Sequence, residues 1–359
     1  MAIVGVRQQD EIASRFVLRA AGLAPSVHNT QPWYFTSRQG VIRLYADQAR
    51  LLLEEDPAGR ELVISCGAAL CNLVLAVRHL GFAADVLTQP DASRADLLAE
   101  VRWGRYAPPS PYEDRLFQSI PRRHTHRGPF AAQPPESLEA ELVQAARHEH
   151  ADLCICYDGE RQSDLARLVE LAERAQSEDP KVAAERARWA RFAGDSRADG
   201  VPVAGYPCRW DGPAFTARRL VPRAAVGFAA MFSPSDPRQA GLIALLTTRY
   251  DRLPNWLAAG QALQRLLLHA QARGVEAAFH TQPLEVAELR KQVRTGFTQG
   301  AFPQVLLRLG RDGYAVHSPR RTVSETLRDA ADISTGGEQD GPTRNPRRGH
   351  RGPSHGARA

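Results

Sequence analysis

The sequence predicts an α+β fold that consists of two related halves in one chain. Two long segments, residues 60–80 and 256–273, carry apolar side chains on nearly every side, and each ends at a glycine. This pattern is typical of buried central helices. Short apolar runs bounded by turn residues accompany both segments and are typical of strands. These elements recur in the same order, which indicates a duplicated unit.

The repeat has three parts that agree in order and spacing. A Gly-x-x-Leu-x-x-Leu helix covers fourteen residues from glycine to glycine, from Gly67 to Gly81 and again from Gly260 to Gly274. Each copy is followed by a short apolar run and then by a strand with a matching end, Val-Arg-Trp-Gly-Arg at 101–105 or Leu-Arg-Leu-Gly-Arg at 307–311. A Pro-Arg-Arg tripeptide lies beyond each strand, at 121–123 and 319–321. We therefore expect a first half at 1–115, a second half at 116–332 and a disordered basic tail at 333–359.

The first half is predicted to begin with a helix over residues 10–24, capped by Asp10. The remaining elements of this half are predicted in chain order as a hairpin of strands at 33–36 and 41–45, a turn at 56–59, the central helix at 60–80 and strands at 83–87 and 98–103.

The second half is predicted to follow a proline-rich connector at 105–115. Its elements are predicted in chain order as a helix at 136–148, a strand at 153–157, a helix at 160–193, a Gly/Pro-rich loop at 194–223, apolar runs at 225–231 and 241–248, and the central helix at 256–273. Long loops inside a compact domain are often lids or binding loops.

Composition restricts the classes of function. Of the formal net charge of +6, the segment 334–359 contributes five arginines against two acidic residues, which is 5 − 2 = +3. The body is therefore only about +3, so we expect no specific nucleic-acid binding, although the tail keeps a nucleic-acid-associated role as a weaker hypothesis. No uninterrupted run of about 18 apolar residues is present, so we expect no membrane span, and we expect no secretory signal. Five scattered cysteines favour a reducing compartment, and we expect a cytoplasmic protein.

The most informative loop follows the first predicted helix and reads Ala-Pro-Ser-Val-His-Asn-Thr-Gln-Pro-Trp at 24–33. Pro25 and Pro32 fix the backbone at both ends, so the polar groups between them are held on a stiff frame. Such a loop suits recognition of a planar heteroaromatic ligand. An ordinary helix-to-strand connection is the alternative, in which His28 caps the backbone.

Arginine clusters indicate where an anion binds. The segment 121–130 contains Arg122, Arg123, Thr125 and Arg127, and a second pair lies at 320–321. Guanidinium groups near a hydroxyl suit a phosphate group, although solvated surface arginines are the common alternative. There is no Gly-x-Gly-x-x-Gly and no P-loop. His124 and His126 have the spacing of metal ligands but no acidic or cysteine partner at usable spacing, so we expect no metal site.

No acid, base or nucleophile stands out in the sequence. The acidic residues 54–56 have the pattern of a solvated turn, and no serine hydrolase motif is present. Chemistry without such residues favours a cofactor that performs the reaction. The loop at 24–33 is found only in the first half and the 121–130 segment only in the second. We therefore expect one ligand site, shared between the halves.

These motifs resemble those of the FMN-dependent nitroreductase family, and their fusion in one chain is similar to the Acg-type proteins of actinobacteria. The loop resembles the family's Pro-Ser-x-x-Asn-x-Gln-Pro-Trp, and the 122–130 and 318–327 segments resemble its phosphate-binding segments. The resemblance implies a nitroreductase-like fold whose two halves mimic the family homodimer, as a monomer for which further dimerisation is open. The cofactor-binding residues that it implies are Pro25, Ser26, His28, Asn29, Gln31, Arg122, Arg123, Thr125, Arg127, Arg320 and Arg321. Thr281 and Gln282 match the segment that faces flavin N5.

The resemblance also implies a reaction, which is ping-pong hydride transfer from NADH or NADPH through FMN to a small nitroaromatic or quinone-like acceptor. The alternative is an FMN-sequestering or storage protein with little turnover, in which a lid at 194–223 or 230–240 covers the flavin.

Overall fold

The computed structural model describes residues 2–128, 130–203, 215, 218–220, 241–312 and 317–329, with side chains from residue 10 onward. Several predictions lie outside the described residues: the apolar run at 225–231, both lid segments except for residues 194–203, 215 and 218–220, and the basic tail at 333–359.

The first half forms a four-stranded antiparallel sheet with helices packed on it. Its elements are α1 (Ala2–Gly22), β1 (Trp33–Arg38), β2 (Val41–Ala46), α2 (Arg60–His79), β3 (Phe82–Thr88) and β4 (Leu97–Tyr106). The strands are ordered β1-β2-β4-β3. The hairpin, the central helix and both later strands agree with prediction to within a few residues. Asp10 lies inside α1 and does not cap it, because the helix begins at Ala2.

A helix joins the halves where the sequence predicted only a proline-rich connector. This helix, α3 (Pro111–Ser119), begins with a capping box in which Ser110 and Glu113 satisfy each other's backbone N–H groups. Pro111 occupies its first turn, where a missing N–H costs nothing. The connector predicted at 105–115 is therefore wrong for its last residues, where Pro111 starts a helix.

The second half contains the same sheet with two insertions. Its elements are α4 (Ser137–His148), β5 (Asp152–Cys156), α5 (Gly159–Glu178), α6 (Pro180–Trp189), β6 (Ala190–Arg191), β7 (Val201–Pro202), β8 (Leu242–Thr248), α7 (Leu253–Ala272), β9 (Glu276–Phe279), α8 (Gln282–Glu285), α9 (Ala287–Phe297), β10 (Phe302–Gly310) and α10 (Val323–Thr326). The long helix predicted at 160–193 is wrong as one element, because Pro180 starts a new helix after Asp179, whose side chain caps it.

The two halves share one topology, as the repeat predicted. The second sheet is also antiparallel and its order is β5-β8-β10-β9, which matches β1-β2-β4-β3 strand for strand. In each half the central helix lies between the second and third strands of the unit. Relative to the first half, one insertion, which begins with α5 and α6, follows β5. The other, which consists of α8 and α9, follows β9.

The central helices α2 and α7 pack against each other and bring the halves together. Their closest approach is at Gly67 and Gly260, where a Cβ on either glycine would lie 2.2 Å or less from a backbone oxygen of the other helix. Further along, Gln264 donates a 2.7 Å hydrogen bond to the Asn72 side chain. The repeated glycines therefore mark the helix contact that joins the two units.

Helix α2 is long and apolar enough to cross a membrane by length and composition alone. Within the described part of the chain, however, 83% of its apolar window is buried by the rest of the protein. It is the core helix that the sequence predicted.

The chain crosses between the halves at two places. Residues after β4 join the second sheet, where Thr125 pairs with Ala277 of β9. Residues after β10 return to the first sheet, where Leu327 pairs with Phe35 of β1. These crossings bring the two arginine segments to the same region.

Candidate functional site

A cleft lies between the halves and is lined by both. Its empty volume is about 1120 Å³, open solvent at the mouth included, which is large enough for a nucleotide-sized ligand. The sequence-predicted residues that line it are Pro25, Ser26, His28, Asn29, Thr125, Arg127, Thr281 and Arg320. A smaller adjoining cavity of about 370 Å³ shares Thr125 and Arg320 and adds Arg123.

The loop at 24–33 holds an unusual backbone conformation. His28, Asn29 and Gln31 have φ values of 48°, 55° and 49°, in the left-handed region that non-glycine residues rarely adopt. The Ser26 hydroxyl accepts a 2.9 Å hydrogen bond from the Gln31 N–H and closes the loop. Such conformations are characteristic of functional sites. The stiff frame predicted from the prolines is therefore reinforced by its own hydrogen bonds.

Asn29 connects the loop to a predicted phosphate-binding arginine. Its amide nitrogen donates to the carbonyl oxygens of Gly200 (3.0 Å) and Pro319 (2.9 Å). Its side-chain oxygen accepts from Arg320 Nη1 at 2.9 Å. The first half thus fixes the position of an arginine from the end of the second.

Gln31 and Arg321 support the loop and do not line either cavity. The Gln31 side chain is fully buried, donates to the Ala198 carbonyl at 2.8 Å and accepts from the Arg321 backbone N–H at 2.8 Å. The Arg321 guanidinium donates to the carbonyls of Gln31 and Trp33. These contacts attach the returning chain to the loop.

The segment that carries Thr125 pairs with the edge strand β9 of the second sheet at a single isolated bridge. The His126 N–H donates to the Ala277 carbonyl at 2.8 Å. His124 Nε2 and His126 Nδ1 each lie 3.4 Å from the same carboxylate oxygen of Glu276. No group of three or more potential metal ligands was found among the described residues. The histidine pair therefore contacts a carboxylate that the sequence did not identify.

Arg123, Arg127 and Arg320 form a cationic cluster at one end of the cleft. Arg123 Nε and Nη1 and Arg320 Nε are buried and have no hydrogen-bond partner among the described residues. Burial and the neighbouring Arg320 and Arg127 lower the pKa of Arg123 to about 9, and burial and Arg127 lower the pKa of Arg320 to about 10. Buried donors without acceptors are costly, so this cluster fits an anionic ligand group.

Arg122 is exposed, whereas the adjacent Arg123 is buried. It lines neither cavity, and its Nη2 donates to the Ser119 hydroxyl at 3.4 Å. The structure does not bring it to the cluster.

Thr281 lies in the cleft wall beside Gln282, whose fully buried side chain does not line the cleft. The Thr281 hydroxyl accepts from Arg218 Nη2 at 3.0 Å and donates to Glu285 at 3.1 Å. The N5-facing pair predicted from the resemblance is thus divided between wall and interior.

Buried carboxylates that the sequence did not identify lie in the cleft wall and behind it. Glu55 and Asp56 are 3% and 5% exposed, so the reading of 54–56 as a solvated turn is wrong for these two. Arg218 Nη1 donates to Glu55 at 2.7 Å and also pairs with Glu285. Glu61, from the first turn of α2, lines the cleft, and its Oε2 has no partner among the described residues.

The pKa values of these carboxylates diverge. Burial and then the Glu285 charge raise the pKa of Glu61 well above its ordinary value, against the opposing effect of Arg60. Burial also disfavours the charged form of Glu55, but His28, Arg218 and Arg186 outweigh it and hold the pKa of Glu55 low. In the sequence, the one indication that Glu61 is a site residue is its position in a helix that is otherwise apolar on nearly all sides.

Several known proteins are similar to this chain. The protein named "Putative NAD(P)H nitroreductase Rv3131" of Mycobacterium tuberculosis is 33% identical over 325 residues, covering 87% of this chain and 90% of the relative. The protein named "Putative NAD(P)H nitroreductase acg" of the same organism is 26% identical over 309 residues, covering 85% and 92%. An FMN-bound nitroreductase structure from Bacteroides fragilis aligns at 13% identity and a TM-score of 0.35, over 56% of this chain and 91% of that one. No family model matches the sequence.

Proposed function

This chain belongs to the nitroreductase family that contains these mycobacterial relatives, and from that premise we propose that it is an FMN-dependent NAD(P)H oxidoreductase. Its electron acceptors in this proposal are nitroaromatic or quinone-like small molecules. The observation that carries the proposal is the cationic cluster at the end of a cleft lined by both halves, in which Arg123 Nε and Nη1 and Arg320 Nε are buried donors without an acceptor among the described residues.

The residues present fit the phosphate end of FMN. Arg123, Arg127 and Arg320 supply charge-assisted donors, and Thr125 supplies a hydroxyl between them. An anion would remove the mutual repulsion that lowers the pKa values of Arg123 and Arg320. We assign these four residues to the phosphate and ribityl chain.

We assign the flavin ring to the rest of the cleft. Pro25, Ser26 and Asn29 line it from the first half, and Thr281 lines it from the second. FMN, when bound, would accept a hydride from NADH or NADPH and pass it to the acceptor. The chain's own part is to fix the ring between two rigid walls and to restrict water at the site.

Two steps test this function. FMN is first titrated into the purified protein, and a bound flavin absorption spectrum is expected. NADH or NADPH is then added without oxygen, and we expect the yellow colour to bleach within seconds and to return when menadione or nitrofurazone is added. Bound flavin that keeps its colour would support sequestration instead, and a protein that does not bind FMN would contradict both functions.

We further propose that the chain acts in the cytoplasm as a monomer whose halves take the places of two subunits. The four described cysteines are free, as is expected in a reducing compartment. Light scattering during size-exclusion chromatography tests the oligomeric state, and the mass of one chain is expected.

A further inference from the structure

We propose that His28 is a catalytic residue that delivers, through Nδ1, the proton that the acceptor needs together with a hydride. This inference rests on the proposed function and adds a residue for the step that reduces the acceptor. The resemblance assigned His28 to cofactor binding, and the alternative from the sequence was a backbone cap. Its ring contacts a carboxylate rather than a backbone group, and the side chain lines the cleft.

The imidazole of His28 is fixed from one side. Nε2 lies 2.5 Å from Glu55 Oε2, and both side chains are almost fully buried. No other hydrogen bond of the ring is found with the described residues, and His28 lines the cleft. With Nε2 held by the carboxylate, Nδ1 is the nitrogen that remains for a molecule in the cleft.

Glu55 is itself held rigidly. Arg186 Nε and Arg218 Nη1 both donate to its Oε1 at 2.7 Å. Its backbone N–H donates to Glu185 at 3.1 Å. The two guanidinium groups and His28 keep the pKa of Glu55 low despite its burial. A buried, charged carboxylate that orients an imidazole is the arrangement by which enzymes position a histidine for proton transfer.

The backbone supports a functional role. His28 has a φ of 48°, in the left-handed region that is uncommon for non-glycine residues and in which asparagine, aspartate and histidine are the most frequent of them. Residues held in such conformations cluster at functional sites.

The chemistry of the proposed acceptors requires such a group. A nitro group that takes up one hydride and one proton loses one N–O bond and gives a nitroso group and water. A quinone that takes up one hydride and one proton gives a hydroquinone. In both reactions NAD(P)H is the reductant through the bound cofactor. The proton leaves His28 Nδ1, Nε2 keeps the N–H that it donates to Glu55, and solvent returns a proton to Nδ1.

The test compares acceptors that differ in their need for a proton. His28→Asn keeps a residue that tolerates the positive φ but cannot donate a proton. His150→Asn is the matched control, because His150 also has a positive φ (59°) and is exposed outside the cleft. FMN-loaded proteins are reduced with NADPH and mixed without oxygen with nitrofurazone, menadione or ferricyanide, which accepts electrons without a proton.

We expect the ratio of the menadione or nitrofurazone rate constant to the ferricyanide rate constant to fall about 100-fold in His28→Asn, within the usual range for general acid catalysis. His150→Asn should leave the ratio within about twofold of wild type. An unchanged ratio in a folded, FMN-loaded and NADPH-reducible His28→Asn would overturn the inference and leave the proposed function standing. Absence of FMN binding in wild type would refute both.

A second readout needs neither flavin nor turnover. Besides signals from the His269–Glu141 and His79–Asp114 pairs, which every variant keeps, NMR of the FMN-free protein labelled with ¹⁵N-histidine should show a strongly deshielded imidazole N–H proton from the short His28–Glu55 hydrogen bond. The signal should disappear in His28→Asn and in Glu55→Gln and persist in His150→Asn. Its absence from folded wild-type protein would also contradict the proposal.

Discussion

Replacing Arg123 with methionine should stabilise the FMN-free protein and weaken FMN binding at the same time. The long side chain is buried, and two of its donor nitrogens have no acceptor among the described residues. Burial and repulsion from Arg320 and Arg127 lower its pKa to about 9, well below the ordinary value of an arginine. At about 1.4 kcal/mol per unit, this is an upper figure of ~5 kcal/mol for keeping the charge in the free protein.

Methionine keeps the apolar stem and removes the charge. We expect the FMN-free variant to melt a few degrees above wild type, because an unfolding entropy of about 2.1 cal/mol/K per residue over 359 residues makes each kcal/mol worth about 1–2 °C. Loss of a charged hydrogen bond to phosphate is expected to cost about 1.5–3 kcal/mol of binding, which raises the Kd for FMN about 10- to 150-fold. Arg123→Ala should weaken binding in the same range.

Differential scanning fluorimetry without FMN and a fluorescence titration with FMN measure the two effects. Arg122→Met is the matched control, because the adjacent arginine is exposed and lines neither cavity. It should change neither the melting temperature nor the Kd appreciably. If Arg123→Met lowered the melting temperature and left the Kd unchanged, the assignment of the cluster to an anion would be refuted.

Three further predictions concern packing and buried carboxylates. Gly67→Ala should destabilise the protein by about 3 kcal/mol or more in urea unfolding, because its Cβ would lie 2.2 Å from a backbone oxygen of α7. The control is Gly296→Ala, which lies in an open helical position and should not destabilise the protein. Glu61→Gln should leave the unfolding free energy at pH 7 nearly unchanged, because burial already raises the pKa of Glu61. Glu285→Gln should lower it by about 3 kcal/mol, because Glu285 pairs with Arg218, and equal effects of the two variants would contradict this contrast. Burial raises the pKa of Asp56 to about 6, above its unfolded value of about 3.9, so the folded state takes up a proton first and this group adds stability as the pH falls from about 7 to 4. The difference in unfolding free energy between wild type and Asp56→Asn should therefore change with pH in that window, and a constant difference would refute this prediction.

The sequence predicted the architecture because the duplication leaves a periodic record. In both apolar helices a glycine recurs fourteen residues before the terminal glycine, and these earlier glycines, Gly67 and Gly260, mark the crossing of α2 and α7. Helix α3 could also have been predicted, since Ser110 and Glu113 have the spacing of a capping box. The break at Pro180 could likewise have been predicted, because a proline does not continue a helix interior.

Half of the cleft could be predicted and half could not. The loop residues and Arg123, Arg127 and Arg320 occur in short motifs whose chemistry is local. The buried carboxylates at the cleft depend on contacts between positions that are distant in sequence. Glu55, for example, contacts Arg186 and Arg218, which follow it by 131 and 163 residues. Nothing near residues 54–56 reveals that burial. Arg122 and Arg123 are chemically alike in sequence, and only the path of the chain makes one exposed and the other buried.

The stoichiometry of FMN binding tests the central claim most directly, which is that two related halves build one site. Equilibrium dialysis of the purified protein against FMN, combined with light scattering to count chains, gives the number of flavins per chain. One FMN per 359-residue chain in a monomer is the predicted result. Two FMN per chain, one FMN shared by two chains, or none would contradict it.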